Sequence, residues 1–431
     1  MVKQTVIGKD ADALAPVASP TFTGTPNLTT TPTLGDNTHK LADTAFVKAA
    51  ISSAIPSIPI GVEWTTNATS PTLVQVDQYG TVTTLSAYDW LSHPLFSKIK
   101  RCTLNDAGVV QHYYGDPAVT IANFYNGTDG QVMVEIPKFW YRTDVLANKY
   151  RYLISPVALS GFKVHPAFIV NTVEKNFIYV SAFEGYQTGG KLCSLAGQAP
   201  AVSADLPTFR GYAHARGSGW ELLDYNTVAA IELLFIIRNA TLNSQSLYQG
   251  ITDAGNTAAV NTGFTALVGT GSVDLGNASG EATAQGTAAK RSFSIFGIEN
   301  FYGNVWKWVD GIKFKNYEMW IADHGFDDTD PTSTPGTYVD TGLALPASIS
   351  GLDITGVLYS STYDYIFAPL SASGTDFSLY LCDGCYTATG LMALCFGGYW
   401  NLALIAGAFA FYAYSAASTA SSGFGGRLVF K

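Results

Sequence analysis

Ionic side chains are scarce in this chain. Of 431 residues, Lys and Arg supply 24 and Asp and Glu 33, so charged residues make up 13%, roughly half the usual share. With a formal net charge of −9, the chain has no basic stripe to neutralise phosphates, which argues against a nucleic-acid partner. The five cysteines (Cys102, Cys193, Cys382, Cys385 and Cys395) are too few, and odd in number, for a disulfide framework. Met1 to Thr5 (MVKQT) begins no apolar signal segment, so export by a signal peptide is not expected. Disorder is excluded as well, because hydrophobic residues reach 47% and aromatics 13%. With 42 Gly and 24 Tyr, the composition describes a rigid, neutral-surfaced protein with a large core. Surfaces of this kind often end in oligomer interfaces.

One long apolar run needs interpretation. Leu391 to Ala417 reads LMALCFGGYWNLALIAGAFAFYAYSAA, with only Asn401 and Ser415 clearly polar. Length and hydropathy alone describe a membrane-spanning helix. However, Gly397, Gly398 and Gly407 interrupt the run, and no basic cluster closes either end; Arg427 and Lys431 are the nearest downstream. Insertion into a membrane is therefore not expected.

The texture changes along the chain. Pro16 to Lys40 is rich in Thr and Pro and nearly free of large apolar side chains, so it cannot bury a core as a monomer. Leu41 to Ile51 has helical spacing over about three turns, and Ser52 to Pro59 reads as a Pro-broken linker. Three segments are expected: 1–60 as stem, trimerising helix and linker, 61–130 as a small β-rich intermediate region, and 131–431 as the main domain. Alternation in Gln131 to Tyr141 predicts a strand ending at Pro137, and Asn176 to Ser181 predicts another. Ala229 to Ile237 predicts a helix capped by Asn226 or Thr227. Gly250 to Gln285 reads as a long insertion loop, and after the Gly303-Asn304 turn, Val305, Trp306 and Trp308 predict an aromatic-lined core strand.

Catalytic patterns are thin. The six His are scattered without ligand spacing, and no G-x-S-x-G or P-loop occurs. Cys382-Asp-Gly-Cys385 is a lone C-x-x-C without a second pair or a nearby His, which reads as two buried or turn thiols. Asp327-Asp328-Thr329-Asp330 reads as a solvated turn, with loop calcium ligation as its alternative. No cofactor, metal or catalytic constellation is expected.

Two stretches resemble known families. ASPTFTGTP (Ala18 to Pro26) and LADTAFVKAAI (Leu41 to Ile51) resemble phage tail-fibre stems, which implies a homotrimer attached to tail or baseplate proteins. GNVWKWVDG (Gly303 to Gly311), with IPKFWYR (Ile136 to Arg142) and GSGWELLDY (Gly217 to Tyr225), resembles C-type-lectin-like folds of the formylglycine-generating-enzyme branch. That likeness implies an α+β domain with small antiparallel sheets and few helices. The oxidase cysteine pair of that branch is missing, since no Cys follows Cys395.

The C-terminal block carries a third resemblance. FGGYWNL (Phe396 to Leu402) and GGRLVFK (Gly425 to Lys431) frame aromatic residues set among Ala, Gly and Ser, a mixture like that of a paratope. The frame resembles the variable region, here 397–427, of diversity-generating retroelement target proteins. In that family Asn codons are randomised, which implies exposed diversified positions at Tyr399, Asn401, Leu402, Ile405, Tyr412, Tyr414, Ser415, Thr419, Ser421 and Gly423. All are reachable from an Asn codon through its first two bases. Trp400 and Gly425-Gly-Arg427 would be fixed, with Arg427 a structural donor. The resemblances together imply a virion tail protein that binds a bacterial surface receptor by recognition rather than chemistry. A fixed calcium-assisted tail lectin and a surface-polysaccharide depolymerase are the alternatives.

Overall fold

Strand Gln131–Pro137 is buried along its whole length. It lies inside a six-stranded antiparallel sheet, in the order Trp220–Leu222, Leu428–Phe430, Phe177–Ser181, Gln131–Pro137, Lys100–Leu104 and Val110–Tyr113. Both strands expected around Pro137 and Ser181 are therefore present. The computed structural model describes residues 59–431 except 67, 86, 254–257, 269–272, 286–290 and 334–335. The stem and the helix expected at Leu41 to Ile51 lie outside the described residues.

Two further large sheets complete the frame. A five-stranded sheet runs Val74–Asp77, Ile60–Thr65, Lys149–Ser155, Trp140–Leu146 and Lys163–Val164. A nine-stranded sheet carries, in order, Val339–Ala344, Glu318–Ile321, Trp306–Lys315, Leu391–Phe396, Phe411–Ser415, Gly384–Thr387, Ser350–Val357 and Pro369–Ala372. Its ninth strand, Phe424–Gly425, runs parallel to the start of Trp306–Lys315, and Gly384–Thr387 runs parallel to Phe411–Ser415. Mostly β content with few helices agrees with the expectation, but the sheets are neither small nor all antiparallel. Buried aromatic side chains such as Trp306 and Trp308 supply enough apolar area to cover a wide sheet.

No boundary falls at residue 130. Ile60–Thr65 pairs with Lys149–Ser155, and Lys100–Leu104 pairs with Gln131–Pro137. The expected intermediate region is thus hydrogen-bonded into the sheets of the main domain, and Ile58–Lys431 form one compact unit.

Among the described residues there are four α-helices: α1 (Ala87–Ser92), α2 (Ile121–Asn126), α3 (Leu206–His214) and α4 (Tyr225–Asn239). Helix α4 starts earlier than its apolar run predicts. Asp224 is its N-cap, accepting from Thr227 N at 3.1 Å and from Thr227 Oγ1 at 2.7 Å. Every residue from Tyr225 to Ile237 is buried, as befits a helix apolar on all sides. Residues 250–285 form irregular chain apart from the short strand Gly280–Glu281 where described. The run from Leu391 to Ala417 is two core strands, Leu391–Phe396 and Phe411–Ser415, joined by a glycine turn and a short 3-10 turn. Burial in the nine-stranded sheet explains its hydropathy. No helix among the described residues is long and apolar enough to cross a membrane.

Candidate ligand-binding site

The segment between those two strands is shaped by its backbone. Gly397 and Gly398 have φ of +88° and +81°, which side-chain-bearing residues rarely adopt. At Gly398 an added Cβ would lie 2.4 Å from Ala406 Cβ, so the chain closes on itself there. From this turn the main chain is tied down: Trp400 N donates to Asn304 O at 3.2 Å, and Leu402 N and Ala403 N donate to Thr252 O at 2.9 and 2.8 Å. Gln245 Nε2 donates to Ala403 O at 2.8 Å. None of these bonds uses a side chain of residues 399–405.

The tie-points rest on buried charge. Lys307 Nζ, fully buried, sits 3.0 Å from Glu184 Oε1 and donates to Gly303 O. Burial pushes Lys307 down to about 8, against the pull of Glu184. Asn304 Nδ2 donates to Glu184 Oε2 and to Val260 O. Arg427 donates to Ser181 O at 2.8 Å, to Asn300 O at 3.0 Å and to Glu299 O, the structural role expected of it. Burial lowers Arg427 to about 10. Arg210 donates to Asp310 and Asp328, each at 2.8 Å, and burial raises Asp310 to about 6 despite that partner.

Above this frame lies a shallow cleft of about 240 Å³. Tyr399, Leu402, Tyr412, Ser421 and Gly423 line it together with Trp306, Tyr386 and Phe424. Tyr412 is the hub: its ring centroid lies 5.2 Å from Trp306, 5.3 Å from Tyr386, 5.7 Å from Phe424 and 5.8 Å from Tyr414. Its hydroxyl lies 3.1 Å from Ser415 Oγ. No ionisable carboxylate, amine or guanidinium lines the cleft. Burial holds the phenols of Tyr386 and Tyr412 above their ordinary values, so they present neutral hydroxyls.

Five of the ten expected positions therefore meet in the cleft, and Tyr414, 47% exposed, stands beside it. Ser415 supports Tyr412 rather than lining the cleft. Asn401 is exposed and pairs with Asp253 in an isolated bridge. Ile405 packs against Gly384, where an added Cβ would meet Ile405 Cγ2 at 2.7 Å. Thr419 is half-buried, its N–H donating to Ala416 O at 3.0 Å. Gly423 corrects an expectation: it is buried against the Tyr399 ring, and an added Cβ would come within 2.8 Å of it. The cleft also recruits Tyr386, which no sequence pattern marks; the parallel register Tyr386 to Tyr412 brings it in. Leu404, 53% exposed, is a further large apolar side chain of the loop.

Other candidate chemistry is otherwise engaged. Asp327, Asp328 and Asp330 form ion pairs with Lys313, Arg210 and Lys315, so the acidic turn is not merely solvated. Cys382 and Cys385 are buried free thiols, and burial pushes both up to about 12. Among the described residues, no group of three or more His, Cys, Asp or Glu is arranged to hold a metal ion.

No family model matches the chain, and no curated protein matches it. Two solved structures are similar in part. The Major Tropism Determinant M1 Variant is 15% identical, with 85% of this chain and 82% of that chain covered at a TM-score of 0.26. The Major Tropism Determinant U1 Variant is 13% identical, covering 84% and 92% at a TM-score of 0.24. Both are tropism determinants. A likeness of this order aligns no individual side chain, and the properties of the cleft stand on its own geometry.

Proposed function

We propose that this chain is a phage tail-tip receptor-binding protein that recognises a bacterial surface ligand through the aromatic face around Tyr399, Tyr412 and Tyr414. One observation carries this reading: an uncharged aromatic cleft sits on a loop whose shape is set by main-chain bonds and buried charges outside it. Tyrosines held on a rigid base offer large contact area and hydroxyls at small ordering cost. Tyr399, Asn401, Leu402, Ile405, Tyr412, Tyr414, Ser415, Thr419, Ser421 and Gly423 are the diversified set in this reading, since the main-chain bonds that hold the loop use none of their side chains. Ile405, Ser415 and Thr419 act from behind or beside the contact surface.

In the same reading residues 1–60 join three copies to the tail, and avidity multiplies a weak single-site contact. The protein works by recognition, without chemistry at the cleft, and is carried on the virion. The test is binding of purified protein to cells of the bacterium that the particle infects. Tyr414→Ala is expected to weaken binding about tenfold while unfolding stability stays within about 0.5 kcal/mol. Unchanged binding by Tyr414→Ala and Tyr399→Ala together would overturn the assignment of the face. Sequencing the gene across a population tests diversification separately, with substitutions expected only in codons 399 to 423.

A further inference from the structure

A second cavity, of about 450 Å³, shares no lining residue with the aromatic cleft. Its walls are mostly apolar: Trp90 and Leu91 from α1, Phe96 and Ile99 after it, Leu275 from the long loop, and Phe296. Its size falls within the range of about 300–1,000 Å³ usual for small-molecule sites. One cation faces it. Arg238, in the last turn of α4, lines the cavity with its guanidinium 5.7 Å from the Trp90 ring centroid.

We infer that this cavity binds a small amphiphilic carboxylate, its apolar body against Trp90 and Phe96 and its anion on Arg238. The buried cations have acceptors: Lys307 has Glu184, Arg210 has Asp310, and Arg427 has three carbonyls. Arg238 has none among the described residues; its guanidinium lies over the Trp90 ring, with the Tyr248 phenol as a second neighbour. Burial holds it below the ordinary arginine value, with no carboxylate acting on it. The half-buried guanidinium gains a charge-assisted hydrogen bond when an anion binds.

The amide at the cavity points the same way. Asn277 lines the cavity, and its Oδ1 is occupied by Arg101 N at 2.7 Å, which leaves its Nδ2 to donate. Asp274, next to Leu275, does not line the cavity, and its Oδ1 accepts from the Tyr125 hydroxyl at 2.8 Å. With Ser97, Tyr114 and Ser279 the cavity offers neutral hydroxyls as well, but Arg238 is its one positive charge, which matches a single negative charge. A phosphate dianion would be left half-compensated here. The apolar walls demand a hydrocarbon or aromatic body.

The experiment is calorimetric titration of the full chain with octanoate, with its neutral counterpart 1-octanol, and with 2-naphthoate. At least one carboxylate is expected to bind, octanoate about tenfold or more tighter than octanol if the body is aliphatic. Whichever of octanoate and 2-naphthoate binds tighter identifies the body. Arg238→Gln is expected to weaken carboxylate binding about tenfold or more while leaving octanol unchanged. Absence of binding by both carboxylates, or octanol binding as well as octanoate with naphthoate silent, would overturn the inference. So would undiminished carboxylate binding by Arg238→Gln. If that variant does not fold, the carboxylate-against-alcohol comparison on the unaltered chain still decides. Cell binding through the aromatic face is a separate readout, so either proposal can fail alone.

Discussion

The frame and the face of this protein are made of opposite materials. Beneath the loop, Lys307, Glu184, Arg427, Arg210 and Asp310 are buried charges satisfied by one another or by carbonyls. On the cleft, Tyr399, Leu402, Tyr412 and Ser421 bring no charge at all. Buried charges tolerate few arrangements, because a displaced partner leaves a desolvated ion behind. Aromatic and small neutral groups tolerate many. The fixed geometry and the neutral aromatic surface are thereby kept apart.

Breaking the frame should have the largest effect. Arg427→Ala removes the donor to three carbonyls and is expected to cost about 3–5 kcal/mol, read in urea unfolding, with cell binding lost along with the fold. Tyr412 joins both regions, since its ring packs on Trp306 and Phe424. Tyr412→Ala should therefore cost about 2 kcal/mol and lower binding too, unlike the exposed Tyr414. Equal stability losses at 412 and 414 would erase the distinction between base and surface.

Gly423→Ala sharpens the comparison from the other side. The added methyl would press on the Tyr399 ring, so binding should fall about tenfold with little change in unfolding midpoint. The smallest effect concerns an acid without a cation. Asp353 is buried, its Oδ1 lacks a partner, and burial raises it to about 6. A carboxyl raised above its unfolded value of about 3.9 contributes fully when protonated, and that contribution is lost as pH rises through 6. Asp353→Asn should raise the urea midpoint at pH 7.5 and lose that advantage at pH 4. An identical difference at both pH values would show that ionisation is not the cause.

Local patterns carried much of this structure, and long-range register carried the rest. The strands at Gln131–Pro137 and Phe177–Ser181, the Trp306–Lys315 strand and the buried α4 helix follow from alternation and apolar runs. Asp224 was missed as a cap because the apolar run begins later than the helix. The width of the nine-stranded sheet was not legible, since Tyr386 meets Tyr412 through a parallel pairing that leaves no local trace. For the same reason the frame of glycines and Arg427 located the face, while which residues actually converge there depended on partners far along the chain. Gly423 shows the limit most plainly: a small residue among Ser, Ala and Phe reads as surface until the ring that covers it is placed.

Strand Leu428–Phe430 lies between Trp220–Leu222 and Phe177–Ser181 in the six-stranded sheet. During synthesis that sheet has an open slot until residue 430 has left the ribosome, so its two flanking strands wait with unpaired edges. Pairings of such long sequence separation form slowly, and exposed edges invite mispairing meanwhile. A chain in this half-built condition is open to mispairing with its neighbours, which makes the timing of its last strand consequential.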